Sequence, residues 1–288
     1  MTWPCLAILL TAGVLYLAHA LGRLAGVVRG KPQGTAGLWG LLAAALALHG
    51  AFLIARSVQL GGLPVATRLD SLALFLWVTA TVFVACRRPY RLEGVAAVFW
   101  PLFAVGMLAS WLLAGRVPSA RASLSGFWLV LHLVPVYVGY AGFAVAAGAG
   151  LGYLVQETLL RRKQGGALWR RLPSLETLER VGRGALSLGF PVLTLGLVAG
   201  MVWAMQGSAL LGRGWYADPK VVGGMVVWLF YAAVLHVRLL ARVRGRRAAV
   251  LTVAGFLLTA ASFLAAHWYE EPETGSSRPP AVGRERSS

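Results

Sequence analysis

The sequence predicts an all-α fold: a polytopic membrane helix bundle of about eight transmembrane helices, with both termini extracytoplasmic. Three observations carry this. Of the 288 residues, 58% are hydrophobic and 13% charged, and the mean hydropathy is +0.70, far from the usual soluble composition. Apolar runs of roughly 18 residues or more recur along the chain, the length needed to cross a bilayer. Between them lie short gaps in which most of the Lys and Arg residues collect.

The spans fall at residues 4–28, 36–56, 69–86, 94–115, 127–156, 184–206, 221–241 and 248–268. The first is not a cleaved leader, because its positive residues, Arg23 and Arg29, follow the apolar run instead of preceding it. The longest connection, Glu157 to Arg183, carries Arg161, Arg162, Lys163, Arg170, Arg171, Arg180 and Arg183. Within it, Pro173-Ser174-Leu175-Glu176 has the pattern of an N-cap followed by a short surface helix. The chain therefore reads as one membrane domain, 1–269, with a basic loop at 157–183. A polar, Pro- and Ser-rich tail at 270–288 is expected to be disordered.

Alternate connections divide the basic residues unevenly. Those after spans one, three, five and seven, with their flanking helix ends, hold 18 of the 27 Lys and Arg. The excess marks the cytoplasmic side. It places the basic loop in the cytoplasm and the loop carrying Trp215, Asp218 and Lys220 outside. In a bacterium the membrane would be the cytoplasmic (inner) one. The formal net charge of +17 is thereby explained by topology and lipid head groups, not by nucleic acid. Cys5 and Cys86 sit at opposite predicted faces, too far apart for a disulfide. The chain has no CxxCH, CxxC or HExxH, so neither covalent haem attachment to itself nor a structural zinc or metalloprotease site is supported.

An ionisable side chain within a span is costly and marks a functional candidate. His132 lies about 8 Å into span five, and His267 stands at the outer end of span eight, so the two share a depth near the outer face. His236 lies about 22 Å into span seven and His19 about 20 Å into span one, which pairs them nearer the cytoplasm. His49 has no partner at its depth. Paired imidazoles between helices suit axial ligation of haem iron. Each His equally suits a hydrogen bond to a neighbouring helix. The loop also has two readings. Asp218-Pro219 is a good helix start, and Trp215 and Tyr216 fit an interfacial aromatic belt.

Taken together, the residues resemble the cytochrome c assembly family of CcsA and HemX-type proteins. The resemblance covers most of the chain after about Arg56 and is strongest from Leu172 to Arg238. LPSLETLERV, GFPVLTLGLVAGMVWA, DPK and WLFYAAVLHVR follow the family's order. His132, in WLVLHLVPVYVGYAGFA, resembles the histidine before the family's tryptophan-rich segment; His267 resembles the one after it, and His236 the intramembrane histidine. Of the segment WGxxWxWDPKE, this chain keeps Gly212, Trp215, Asp218, Pro219 and Lys220. Leu211, Ala217 and Val221 replace two tryptophans and the final acid.

The resemblance implies a haem-binding protein that assists cytochrome c biogenesis, with haem b held or passed at the extracytoplasmic face for attachment to apocytochrome c. His132 and His267 would ligate iron in an outer site, and His19 and His236 in a deeper one, the His19 role resting on depth alone. Trp215 would pack on the macrocycle, Lys220 would meet a propionate, and Asp218 would orient its neighbours. Such a chain acts as a haem chaperone or a subunit of a cytochrome c synthase more than as an enzyme by itself. Its partners would be haem, lipid, apocytochrome c and other assembly proteins. Two alternatives remain: a HemX-type regulator of haem biosynthesis acting through the basic loop, and a small-solute transporter built on Gly-rich spans such as AGFAVAAGAGLGY.

Overall fold

The structure is a computed structural model and describes residues 3–29, 36–65, 67–88, 92, 95–112, 126–163, 172–206, 215–239 and 243–268. The tail at 270–288 lies outside these residues. Among them are eight α-helices and no strand: α1 (Trp3–Val28), α2 (Ala36–Leu60), α3 (Arg68–Cys86), α4 (Ala96–Leu112), α5 (Phe127–Arg161), α6 (Leu175–Gln206), α7 (Pro219–Leu239) and α8 (Gly245–Trp268). A single 3-10 turn, Trp215–Ala217, precedes α7. All but α4 are long and apolar enough to cross a membrane, and α4 is a shorter apolar helix. The chain is a multi-pass membrane protein.

The outward surface explains why. Leu10, Val14, Leu21, Ile54, Val58, Leu195, Leu229 and Leu257 are all exposed, a surface that lipid solvates and water does not. In that medium the backbone must satisfy its own hydrogen bonds, which favours helix throughout. Pro101, Pro135 and Pro191 sit inside helices without ending them.

Helix starts are set locally. The Thr67 hydroxyl oxygen accepts from the Asp70 N–H at 3.1 Å and caps α3. Ser174 accepts from the Thr177 N–H at 3.3 Å and caps α6. Here the structure departs from the sequence expectation. The surface helix after Ser174 and span six are one helix, Leu175–Gln206, and α5 runs on to Arg161. The reason is that Leu178 and Leu186 of α6 are both buried, so one apolar stripe continues through the polar first turns. The basic connection is therefore shorter than 157–183.

The helices form two groups. In the first, α1 packs on α2 and α4 around Leu9, Tyr16, Phe52, Phe83 and Trp100. In the second, α5 packs along α6, and α8 packs on both α5 and α7, around Phe143, Leu186, Leu193, Val227 and Tyr231. Helix α3 joins them, with Phe75 set edge-on to Tyr137 and Tyr140 of α5. The α5–α6 seam is glycine-lined. A Cβ at Gly139 would come within 2.8 Å of Leu193, so the backbones approach as closely as they do only because that Cβ is missing.

Candidate functional site

The second group brings most of the predicted site to one end. Gly150 of α5 lies against Ala249 and Val253 of α8, while Phe75 bridges Tyr137 and Tyr140 of α5 to Phe263 of α8. The two helices are thus antiparallel, and His132 and His267 fall at the same end. Gly223 of α7 lies against Ser262 of α8, and Gly255 of α8 against Phe230 and Tyr231 of α7. Extending that register sets the His267 backbone level with Asp218. On the other side, the Trp228 indole N–H of α7 donates to the Thr194 hydroxyl of α6 at 2.9 Å, and Gly224 meets Leu197. That pairing carries Gly200 of α6 to the first turn of α7.

His132 has a seat built for it. Its Nδ1 lies 2.8 Å from the Gly196 carbonyl oxygen of α6. A carbonyl only accepts, so Nδ1 carries the proton and Nε2 keeps its lone pair. A Cβ at Gly200 would collide with the imidazole ring, and one at Gly196 would reach 2.8 Å from Val136. The glycines of GLVAG therefore make the groove in which the half-buried imidazole lies, and the groove fixes its tautomer. This is the second-sphere arrangement that orients metal-bound imidazoles. Sequence reasoning singled out His132 but not its seat. The signal was present in the spacing of Gly196 and Gly200 on one face of α6.

Asp218 performs the helix-start role. Its Oδ1 accepts from the Lys220 N–H at 2.7 Å, and its carbonyl accepts from the Val222 N–H at 3.0 Å, with Pro219 as the first helical residue. Asp218, Lys220 and Tyr216 are exposed, and Trp215 opens the 3-10 turn. The side chains of Trp215 and His267 lie outside the described residues.

The deeper pair does not assemble. His19 is fully buried against α2 and α4, with its Nδ1 2.8 Å from the Leu38 carbonyl oxygen and its ring edge-on to Trp100 at 5.1 Å. His236 is exposed on α7, in the other helix group. Depth along the helices fixes only one coordinate, and the two rings face different surroundings. His49 is also fully buried, edge-on to Tyr16 at 5.9 Å. Cys5 and Cys86 form no disulfide, as their separation required.

An apolar crevice of about 330 Å³ opens between α3, α4, α5 and α8, lined by Phe75, Phe99, Phe103, Phe256 and Phe263 among others. No described histidine lines it. Among the described residues, no group of three or more His, Cys, Asp or Glu side chains converges as a metal site. The donor chemistry that fits haem is the single oriented imidazole of His132, with His267 at its end of the bundle.

The architecture defines a class: a multi-pass helical membrane protein carrying an oriented histidine near one end of a glycine-packed helix group. The family follows from comparison. Residues 65–271 match the model of the cytochrome C assembly protein family, and the chain belongs to that family. It is 31% identical over 259 residues to the cytochrome c biogenesis protein CcsA of Synechococcus sp. (strain CC9605), covering 81% of this chain and 84% of that protein. It is 29% identical over 229 residues to protein HemX of Brevibacillus brevis, covering 78% of this chain and 82% of that one. A second cytochrome c biogenesis protein CcsA, from Synechococcus sp. (strain CC9902), is 30% identical over 250 residues, covering 78% and 81%.

Proposed function

We propose that this chain is a haem-handling protein of cytochrome c biogenesis. It holds or passes haem at the end of the bundle that carries His132, Asp218, Lys220 and His267. The observation that carries this is the His132 imidazole, whose Nδ1–H is tied to the Gly196 carbonyl so that Nε2 is left as a ligand atom. Haem b, when bound, supplies an iron for imidazole ligation and vinyl groups for attachment to apocytochrome thiols. His132 and His267 are the proposed axial ligands. Trp215 offers an aromatic face to the macrocycle, and Lys220 a cation to a propionate. Asp218 holds Lys220 in place by starting α7. The chain acts as a haem chaperone or synthase subunit, with apocytochrome c and other assembly proteins as partners. The uneven distribution of Lys and Arg argues that this end faces the extracytoplasmic side of the bacterial cytoplasmic membrane.

The test is the optical spectrum of the detergent-purified chain, oxidised and then dithionite-reduced, with a pyridine extract for haem stoichiometry. A Soret band with sharp reduced bands is expected, and its loss in the His132→Ala/His267→Ala variant. Haem content undiminished by that double change overturns the axial assignment.

A second reading, a HemX-type regulator of haem biosynthesis, is favoured by the similarity to HemX and by the basic opposite end of the bundle. There Arg161 and Arg246 share Glu157, at 2.9 and 3.2 Å, and Arg162 and Lys163 are exposed. Under that reading, charge reversal at Arg162 and Lys163 alters the haem-precursor pool while cytochrome c maturation is spared. An unchanged pool argues against it.

A further inference from the structure

The α1–α4 group carries a feature that haem handling at the far end does not use. Tyr16 and His19 of α1, His49 of α2 and Trp100 of α4 are at most 1% exposed. They form one cluster: Tyr16 lies 5.9 Å from His49 and 6.2 Å from Trp100, and Trp100 lies 5.1 Å from His19, centroid to centroid. The Tyr16 hydroxyl, the His19 Nε2, both His49 nitrogens and the Trp100 Nε1 have no hydrogen-bond partner in the protein. Leaving such a group unsatisfied in a membrane interior is costly. Several together call for a ligand.

The donor and acceptor roles say which kind. His19 gives its Nδ1–H to the Leu38 carbonyl, so its Nε2 is an acceptor. His49 stands beside the Ala73 carbonyl without closing a hydrogen bond, and one of its two nitrogens is an acceptor. Trp100 offers only an N–H. Tyr16 offers an O–H and a lone pair. The set thus presents two imidazole lone pairs and three donors, from His49, Trp100 and Tyr16. An anion finds the buried Arg23 one turn along α1 from His19, but at the cluster itself the two lone pairs repel it. A metal ion gains nothing from the indole N–H, and no third His, Cys, Asp or Glu joins the two imidazoles among the described residues. A small molecule that both donates and accepts suits this mixed set, and more than one copy is needed to meet every group; water is that molecule.

We propose that Tyr16, His19, His49 and Trp100 form a buried hydration site holding a small water cluster within the α1–α4 group. The water links the imidazoles of α1 and α2 into one hydrogen-bonded unit inside the membrane. The site is separate from the other polar cluster of the group, the Arg56–Asp70 pair. Arg56 lies two turns along α2 from His49, about 10 Å. Leu9, Ala12 and Phe52, all fully buried in the same core, belong to the apolar packing of α1 and α2 around it.

Pulsed X-ray hydroxyl-radical footprinting of the full chain in lipid nanodiscs tests this, because radicals formed from bound water label the side chains touching it. Tyr16, His49 and Trp100 are expected to be labelled several-fold faster than Phe52, Phe83 and Phe143, which are equally buried among apolar neighbours. In Tyr16→Phe, labelling of Trp100 and His49 is expected to fall towards those dry controls. Wild-type rates no higher than the controls overturn the site. Undiminished labelling of Trp100 in a folded Tyr16→Phe variant overturns the role given to the Tyr16 hydroxyl. If that variant does not fold, the wild-type comparison decides alone.

Discussion

The two helix groups bury polarity in opposite ways. In α1–α4 the polar side chains face inward and are enclosed: Arg56 and Asp70 form a bidentate pair at 2.8 Å while only 4% and 0% exposed. In α5–α8 the interior is glycine and aromatic, and the candidate groups stand at the end, held by backbone atoms of a neighbouring helix. The first arrangement stabilises a fixed interior. The second leaves a ligand atom accessible while fixing its direction. Enclosed polar groups answer to one another, whereas end groups answer to the helix that seats them.

Breaking the enclosed pair gives the largest effect. Asp70→Leu leaves the buried Arg56 charge without its counter-ion, with only the Gln59 side-chain oxygen as acceptor, and is expected to destabilise the protein by about 3–5 kcal/mol. Thermal melting in detergent measures this, and Arg56→Met added to Asp70→Leu should recover much of the loss. A single variant as stable as the wild type would mean that the first group does not depend on its enclosed charges.

Next is the seat of His132. Gly200→Val pushes a side chain into the imidazole ring and should cost about 1–3 kcal/mol through overpacking. Under the proposed function it should also lower haem content, read from the reduced-haem absorbance. Gly40→Val, at a position on α2 with no atom near enough to meet a Cβ, is the control and should change neither. Haem retention in a displaced Gly200→Val variant would detach the function from the seat.

A smaller effect is expected at Asp218. Asp218→Ala removes the cap of α7 and should cost about 1 kcal/mol, while Asp218→Asn should keep the cap. If Asp218 acts only as a cap, Asn restores both stability and haem. If its charge also holds Lys220 in the haem site, Asn restores stability alone. Smallest is Glu176→Gln on α6, whose partner Arg180 lies at 2.9 Å on an exposed surface. The expected change is below about 0.5 kcal/mol. A larger loss would show that the first turn of α6 is held by charge more than by Leu178.

The helical, membrane-spanning character was legible in composition and run length, because lipid leaves no other solution for an apolar chain. The capping roles of Ser174 and Asp218 were legible because capping is local. The union of the surface helix with span six was missed, since the polar Glu176, Glu179 and Arg180 read as belonging to a short helix separate from the span. The alternation that buries Leu178 and Leu186 on one face was the available signal. His132 was singled out by motif and depth. The separation of His19 from His236 could not be found that way, because depth along a helix says nothing of its azimuth. The clustering of Tyr16 and His49 with Trp100 joins three helices far apart in sequence, and no local pattern announces it.

Helix α6 has one further consequence. At 32 residues it is about 48 Å long, well beyond the thickness of a hydrocarbon core. Its first two turns bear Glu176 and Arg180, and Gly196 and Gly200 lie near its other end. The end that carries the exposed ion pair and the end that cradles His132 are joined by one backbone, with Pro191 between them, so that single helix sets the spacing between the two.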